Sequence, residues 1–296
     1  MRELFVRNLT NLDFAWLDPK KGLMGESLIV NVFLQGEMDE RGFIMDFGPC
    51  KKWMKQLIDH HLDHTCVVPM RSSHLKIAGL DEVRMSFSFH WAQGELSYEA
   101  PRHTLVLLEK ETLEISDFAE FLETQARQAL PDRVKDVKIE LLPDPNFKTS
   151  ANYRYTHGLK LHEGNCQRLF HGHRNPIEVY LNDIRQEKME VYLSDYLKQI
   201  HFAPLSSVTS ETQDLLLNQR NWQSNDQLTL SYEAPQGLFK AELPVRDCLI
   251  MAEEPSIERI TELSWKILKE EFAIADSSTL KVYCFEGLSK GCSFQN

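Results

Sequence analysis

Four side chains able to bind a metal or act as a nucleophile lie close together in the chain: His157, Cys166, His171 and His173. Side chains alternate between the faces of an extended strand, so His171 and His173, separated by Gly172, point the same way and can share one ion. His157 supplies a third imidazole, and His162 is the other candidate for that place. Three neutral imidazoles suit Zn²⁺ and leave its fourth tetrahedral position open for water or substrate, the arrangement of a catalytic site. Cys166 fits either of two roles. As a fourth ligand it would close the site and make it structural; as a nearby thiolate it would work as a base. Histidine is also common on surfaces, and with 11 of them in the chain the spacing alone does not decide.

The chain that must position these groups has 296 residues and is 42% apolar, enough for one large or two ordinary domains with real cores. Its 44 acidic and 33 basic residues give a net charge of -11, which argues against nucleic acid or an anionic membrane as the main partner. An anionic small substrate would need a local basic pocket, for which Lys160, Arg168 and Arg174 near the motif are candidates. No apolar run approaches the length of a membrane span, and the first residues, with Arg2, Glu3 and Arg7 among apolar ones, lack a signal-peptide pattern. A cytoplasmic location is the expectation. The 6 cysteines are scattered without close pairs and are expected as free thiols.

The chain reads as internally doubled. Leu-Ser-Tyr-Glu-Ala-Pro occurs at 96–101 and again at 230–235, an identity that composition would almost never produce. Laid side by side, Gly25 with alternating Leu28, Val30, Val32 and Leu34 matches Gly172 with Ile177, Val179 and Leu181, and both read as strands. Glu111-Thr112-Leu113-Glu114 matches Pro255-Ser256-Ile257-Glu258, each opening an amphipathic helix with Thr112 and Ser256 as N-caps. A further helix is expected near Pro49, with a counterpart near Ser194, and each half closes on an alternating strand, 137–141 and 280–284. The join falls at 143–151, where prolines break both patterns. The expected fold is α+β, two tandem units of 1–146 and 147–296, each an antiparallel sheet with helices on one face.

Doubling provides an internal control on the metal residues. Trp16 stands where His157 stands, Met24 where His171 stands and Glu26 where His173 stands, so the first half lacks zinc ligands. It carries instead Leu62-Asp63-His64 after the helix near Pro49, where the second half has Gln199-Ile200-His201. Each half keeps polar groups that the other lacks, as one active site divided between two similar domains would. Asp63 and His64 also suit a helix C-terminus, Glu114 and Glu258 suit a first helical turn, and Glu286 suits an exposed strand edge.

Taken in order, Tyr153-Arg154-Tyr155-Thr156-His157-Gly158-Leu159, Cys166, His171-Gly172-His173, Asp46-Phe47, Leu62-Asp63-His64, Pro255-Ser256-Ile257-Glu258 and Glu286 resemble the 6-pyruvoyl-tetrahydropterin and 6-carboxy-tetrahydropterin synthase family. The resemblance implies the tunnelling fold, with active sites between units and assembly into a homo-oligomer. It implies that His157, His171 and His173 hold Zn²⁺, that Cys166 is the catalytic thiol, that Asp63 and His64 complete its proton relay, and that Glu286, with Glu258, binds the pterin. The implied substrate is 7,8-dihydroneopterin triphosphate. The implied product is 6-carboxy-5,6,7,8-tetrahydropterin, for deazaguanine (queuosine) synthesis, or else the 6-pyruvoyl compound. A non-catalytic zinc or pterin-binding protein, and another tunnelling-fold enzyme acting on a purine-like ring, are the remaining readings. The chain departs from the family pattern where Gly287, not threonine, follows Glu286.

Overall fold

A computed structural model describes residues 2–148, 151–217, 223 and 226–296. The first half runs through β1 (Arg2–Asp18), β2 (Gly22–Gly36), α1 (Phe47–His61), β3 (Cys66–Pro69), β4 (Leu75–Leu80), β5 (Arg84–Trp91), β6 (Gly94–Pro101), β7 (Leu105–Leu108), α2 (Ile115–Arg127) and β8 (Val134–Leu142). The second half begins with β9 (Asn152–His157), β10 (His171–Leu181), β11 (Ile184–Arg185), α3 (Glu187–Tyr196), β12 (Ile200–Pro204) and α4 (Ser210–Leu217). It continues with β13 (Gln227–Ala234), β14 (Gly237–Pro244), β15 (Cys248–Met251), α5 (Ile257–Glu271), β16 (Leu280–Phe285) and β17 (Gly291–Gln295).

One sheet has the order β7-β3-β1-β2-β8 and another β15-β12-β9-β10-β16-β17, the same topology twice, with β17 added at the edge and the short β11 paired with β10. Even the register repeats: Trp16 faces Met24 in the first hairpin as His157 faces His171 in the second. The central strands pair antiparallel, while β3 and β12 join β1 and β9 in parallel. Helices cover one face of each sheet because the alternating apolar residues require it. Leu28, Val30, Val32 and Leu34 of β2 are buried with Met54 and Ile58 of α1 and Phe118 and Leu122 of α2. Ile177 and Val179 of β10 are buried with Leu193 of α3 and Ile260 and Leu268 of α5. The chain is thus an α+β tandem of tunnelling-fold units.

A third sheet, β13-β14-β6-β5-β4, takes its hairpins from both halves, with Ala241 of β14 opposite Tyr98 of β6. The core beneath it is likewise shared: Phe87, Phe89 and Tyr98 pack with Phe170, Leu230 and Phe239. Burial of each such side chain contributes roughly 1.5–3 kcal/mol, so neither half keeps its full core alone. The two long hairpins also cross, and at the crossing Gly25 meets its counterpart Gly172. A Cβ on Gly25 would lie 2.1 Å from the Tyr155 carbonyl oxygen, and one on Gly172 would lie 2.6 Å from Gly25 Cα. Only glycine permits backbones this close.

Several local expectations shift. The repeated Leu-Ser-Tyr-Glu-Ala-Pro lies on β6, the second strand of its hairpin, and again on β13, the first strand of the other. The repeated strand order supports the duplication, but those six residues are not equivalent positions in it. The counterpart of α1 starts at Glu187, and Ser194 lies near its end. The N-cap of α2 is Glu114 rather than Thr112, with Asp117 completing a capping box, while Ser256 occupies the N-cap position of α5 without a side-chain capping bond.

Candidate active site

The motif histidines come together at the end of the β9–β10 hairpin, where His171 pairs directly with His157 and His173 lies two residues along the same strand. His157 Nε2 lies 3.2 Å from His173 Nε2. Two imidazole nitrogens on one tetrahedral zinc, each about 2.0–2.1 Å from it, would be about 3.3 Å apart. One nitrogen from each of His157, His171 and His173 lies within 4.8 Å of the others. His157 Nδ1 is 3.1 Å from the Pro255 carbonyl oxygen, and His171 Nδ1 is 3.1 Å from that of Arg168. A carbonyl only accepts, so these contacts put the proton on Nδ1 and leave Nε2 as a lone-pair donor. His171 Nε2 is buried and has no hydrogen-bond partner. Burial, then the crowding of neighbouring imidazoles, holds His157 and His171 well below the usual imidazole range, so both are neutral. The set fits a divalent transition-metal ion.

Cys166 occupies a short turn in the β9–β10 loop and is half-buried. Its sulfur does not join the three-histidine set; it groups with ring nitrogens of His64 and His171, all within 4.8 Å of one another. His64 arrives from the other half of the chain. It follows α1 in a left-handed conformation, φ 56°, pinned by its N–H donating to the Asp13 carbonyl at 2.7 Å. Positive φ is uncommon for a non-glycine residue, although histidine is among those that adopt it more readily. His64 Nδ1 lies 2.5 Å from Asp63 Oδ2, and Asp63 Oδ1 accepts from the Asp13 N–H at 3.0 Å. Burial opposes charge on His64, but Asp63 and Cys166, each bonded to the ring, outweigh it and push its pKa up to about 10. Cys166, His64 and Asp63 therefore form one chain of contacts between the two halves.

Glu286 follows β16, and its Oε1 lies 3.8 Å from His157 Nε2 and 4.0 Å from His173 Nε2. Glu258 stands apart: it is exposed on the first turn of α5, where the Ser256 hydroxyl and a backbone N–H hold its carboxyl below the usual range. His162 bonds the Glu163 carbonyl on the surface and is not in the metal set. Arg168 and Arg174 are already engaged by protein groups. Arg168 is 6% exposed and bonds Gln236 Oε1 at 2.8 Å, with the carbonyl oxygens of Asp63 and His64 each at 3.4 Å. Arg174 bonds Asn152 and lies over the Phe147 ring. A cleft of about 400 Å³ beside Glu178 and Glu190 contains none of the three histidines, Cys166, Asp63 or His64.

One group had no motif to announce it, Asp13. Asp13 is 3% exposed, accepts from the Ser27 hydroxyl at 2.5 Å and lies 3.3 Å from His173 Nδ1. Burial works against its charge, yet His173, Ser27 and Lys290 bring its pKa down to about 2. The repeat register held a signal for it. The counterparts of Asp13 and His173 are Arg154 and Glu26, which form an ion pair at 2.8 Å.

That second, equivalent location has lost every reactive group. It contains Trp16, Met24 and Glu26, while Lys198 and Gln199 replace Asp63 and His64. Gln199 keeps the left-handed backbone, φ 61°, and donates its N–H to the Arg154 carbonyl at 2.7 Å, as His64 does to Asp13. His201, two residues on, is a buried core histidine bonded to Thr156.

The sequence model of 6-pyruvoyl tetrahydropterin synthase matches residues 147–296, half of the chain. Among solved structures, the 6-pyruvoyl tetrahydropterin synthase of Plasmodium vivax is 20% identical over 49% of this chain and 92% of its own, with a TM-score of 0.40. That of Plasmodium falciparum is 17% identical over 49% of this chain and 93% of its own, also at 0.40. A search of curated proteins finds no match. Matched across half of its length by that model, the chain belongs to the 6-pyruvoyl tetrahydropterin synthase family.

Proposed function

We propose that this chain is a zinc-dependent lyase acting on 7,8-dihydroneopterin triphosphate and forming 6-carboxy-5,6,7,8-tetrahydropterin. The observation that carries the reading is the Cys166–His64–Asp63 chain of contacts, assembled from both halves beside three converging imidazoles. Residues 147–296 supply His157, His171, His173 and Cys166, and residues 1–146 supply Asp63 and His64. Zinc on the three histidines would supply Lewis-acid polarisation of the substrate's side-chain oxygens.

Cys166 Sγ takes a proton from a side-chain carbon next to such an oxygen, and His64, protonated at neutral pH, is the acid that returns a proton to the side chain. Asp63 holds His64 Nδ1 at 2.5 Å, which orients the ring and stabilises its imidazolium, as the carboxylate of a catalytic triad does. Glu286 offers its carboxylate to the guanidine-like edge of the pterin, a two-point contact that selects this ring. Glu258 is a weaker candidate for the same task because it faces solvent. The net reaction consumes one water and releases triphosphate and acetaldehyde, with no external oxidant. We further infer a homo-oligomer working in the cytoplasm; among the described residues no helix is long and apolar enough to cross a membrane.

Incubating the zinc-loaded protein with dihydroneopterin triphosphate and assaying acetaldehyde and triphosphate tests the reading. Both products are expected. Triphosphate without acetaldehyde would point to the 6-pyruvoyl product, and neither would sink the lyase assignment.

A further inference from the structure

We propose that Asp13, contributed by the half of the chain that binds no metal, is a positioning residue for metal ligand His173. The inference rests on the metal reading of His157, His171 and His173 and goes beyond it, because it makes metal affinity a property of both units. His157 and His171 are each steered by a backbone carbonyl on Nδ1, from Pro255 and Arg168. His173 has no carbonyl. Its Nδ1 is buried and lacks a well-aligned hydrogen bond, and the Asp13 carboxylate 3.3 Å away is the group that faces it. A carboxylate on the far nitrogen of a ligating imidazole fixes its tautomer and raises its basicity, and loss of such partners costs 10–100-fold in metal affinity.

Independent observations show that the position is built around this carboxylate. Ser27, opposite Asp13 in the β1–β2 register, donates its hydroxyl to Oδ1 at 2.5 Å, and Lys290 Nζ lies 3.9 Å from Oδ2. At Gly287, a Cβ would lie 2.6 Å from Asp13 Oδ2. The glycine that breaks the family pattern after Glu286 thus leaves room for a charge brought in from the other unit. The Asp13 backbone meanwhile holds both members of the relay, its N–H to Asp63 and its carbonyl from His64. At the equivalent location Arg154 pairs with Glu26 in the same relative places, so one cross-unit contact has become a plain ion pair while the other faces the metal set.

The test measures zinc affinity of the full-length protein by competition with a chromophoric chelator, for wild type, Asp13→Ala, Asp13→Asn, Asp13→Glu, Glu26→Gln and His171→Ala. Asp13→Ala is expected to bind about 10–100-fold more weakly, with a changed Co²⁺ absorption spectrum. Asp13→Asn keeps the shape and an acceptor oxygen and should fall between, and Asp13→Glu should recover part of the loss. Glu26→Gln breaks the counterpart ion pair and should leave zinc affinity unchanged. Asp13→Ala and Asp13→Asn binding as tightly as wild type would overturn the proposal, and so would an equal loss in Glu26→Gln, which would mean a loosened interface. If wild type and His171→Ala both fail to bind zinc, the metal reading itself fails, a result distinct from the other two.

Discussion

At the scale of single residues, Cys166 separates chemistry from structure. Its sulfur lies with His64 and His171 rather than with all three imidazoles, which favours a proton-moving role over that of a fourth ligand. Cys166→Ala is expected to keep its metal and lose about 10²–10⁴-fold in turnover, checked by metal analysis alongside the acetaldehyde assay. Joint loss of metal and thermal stability would make the thiol structural instead. His64 offers a second measurement. Its pKa is raised to about 10 by Asp63 and Cys166 acting against burial. A histidine with a raised folded-state pKa adds stability that is fully present below the unfolded value of about 6.5 and is lost as pH rises through the folded one. Thermal unfolding of metal-free wild type and His64→Gln should therefore differ most near neutral pH and below, and the gap should close by about pH 10. A gap independent of pH would mean that His64 contributes by packing alone. His157, His171 and His173 were legible because a strand dictates where alternate side chains point. Asp13 was not, since a lone acid in a strand acquires its meaning only from the surface that folds against it.

At the scale of elements, the tightest constraint is the crossing of β2 and β10 at two glycines. Gly25→Ala would put a methyl group 2.1 Å from the Tyr155 carbonyl oxygen, a backbone atom that cannot turn aside. Overpacking of this kind costs about 1–3 kcal/mol, and a backbone clash belongs at the upper end or beyond. A lowered urea midpoint at unchanged slope is the expected result, whereas a midpoint equal to wild type would show that the hairpins slide apart freely. Gly25 and Gly172 matched in sequence, and the strands following them were readable because alternation continues through β2 and β10. The two copies of Leu-Ser-Tyr-Glu-Ala-Pro misled for the same physical reason that makes strands readable at all. Leu96 and Tyr98 on β6, like Leu230 and Tyr232 on β13, are buried at alternate positions, and that pattern suits either strand of a hairpin. Alternation reports burial and not strand order, so it could not say which strand of each hairpin carried the motif.

The whole molecule spends its duplication on a division of labour. In the proposed site the metal ligands and thiol belong to one unit and the relay to the other, while the equivalent location between the same units has Trp16, Met24 and the Glu26–Arg154 pair. The proposed metal reading predicts one metal per chain. Its effect should nevertheless extend through both units, because β6 and β14 share a sheet and Phe87, Tyr98, Phe170 and Phe239 share a core beneath it. A ligand that binds only the folded state stabilises that state by about 2.7 kcal/mol at 100 times its Kd, and in a single cooperative unit every protected amide gains the same factor. Hydrogen exchange with and without zinc reads this directly. The slowest amides of α1 and α2, none of which touches the metal set, should slow by the same factor as those of α5. Protection confined to residues 147–296 would mean that the units fold as neighbours, each with its own stability, and two metals bound per chain would refute the assignment of the first half as metal-free.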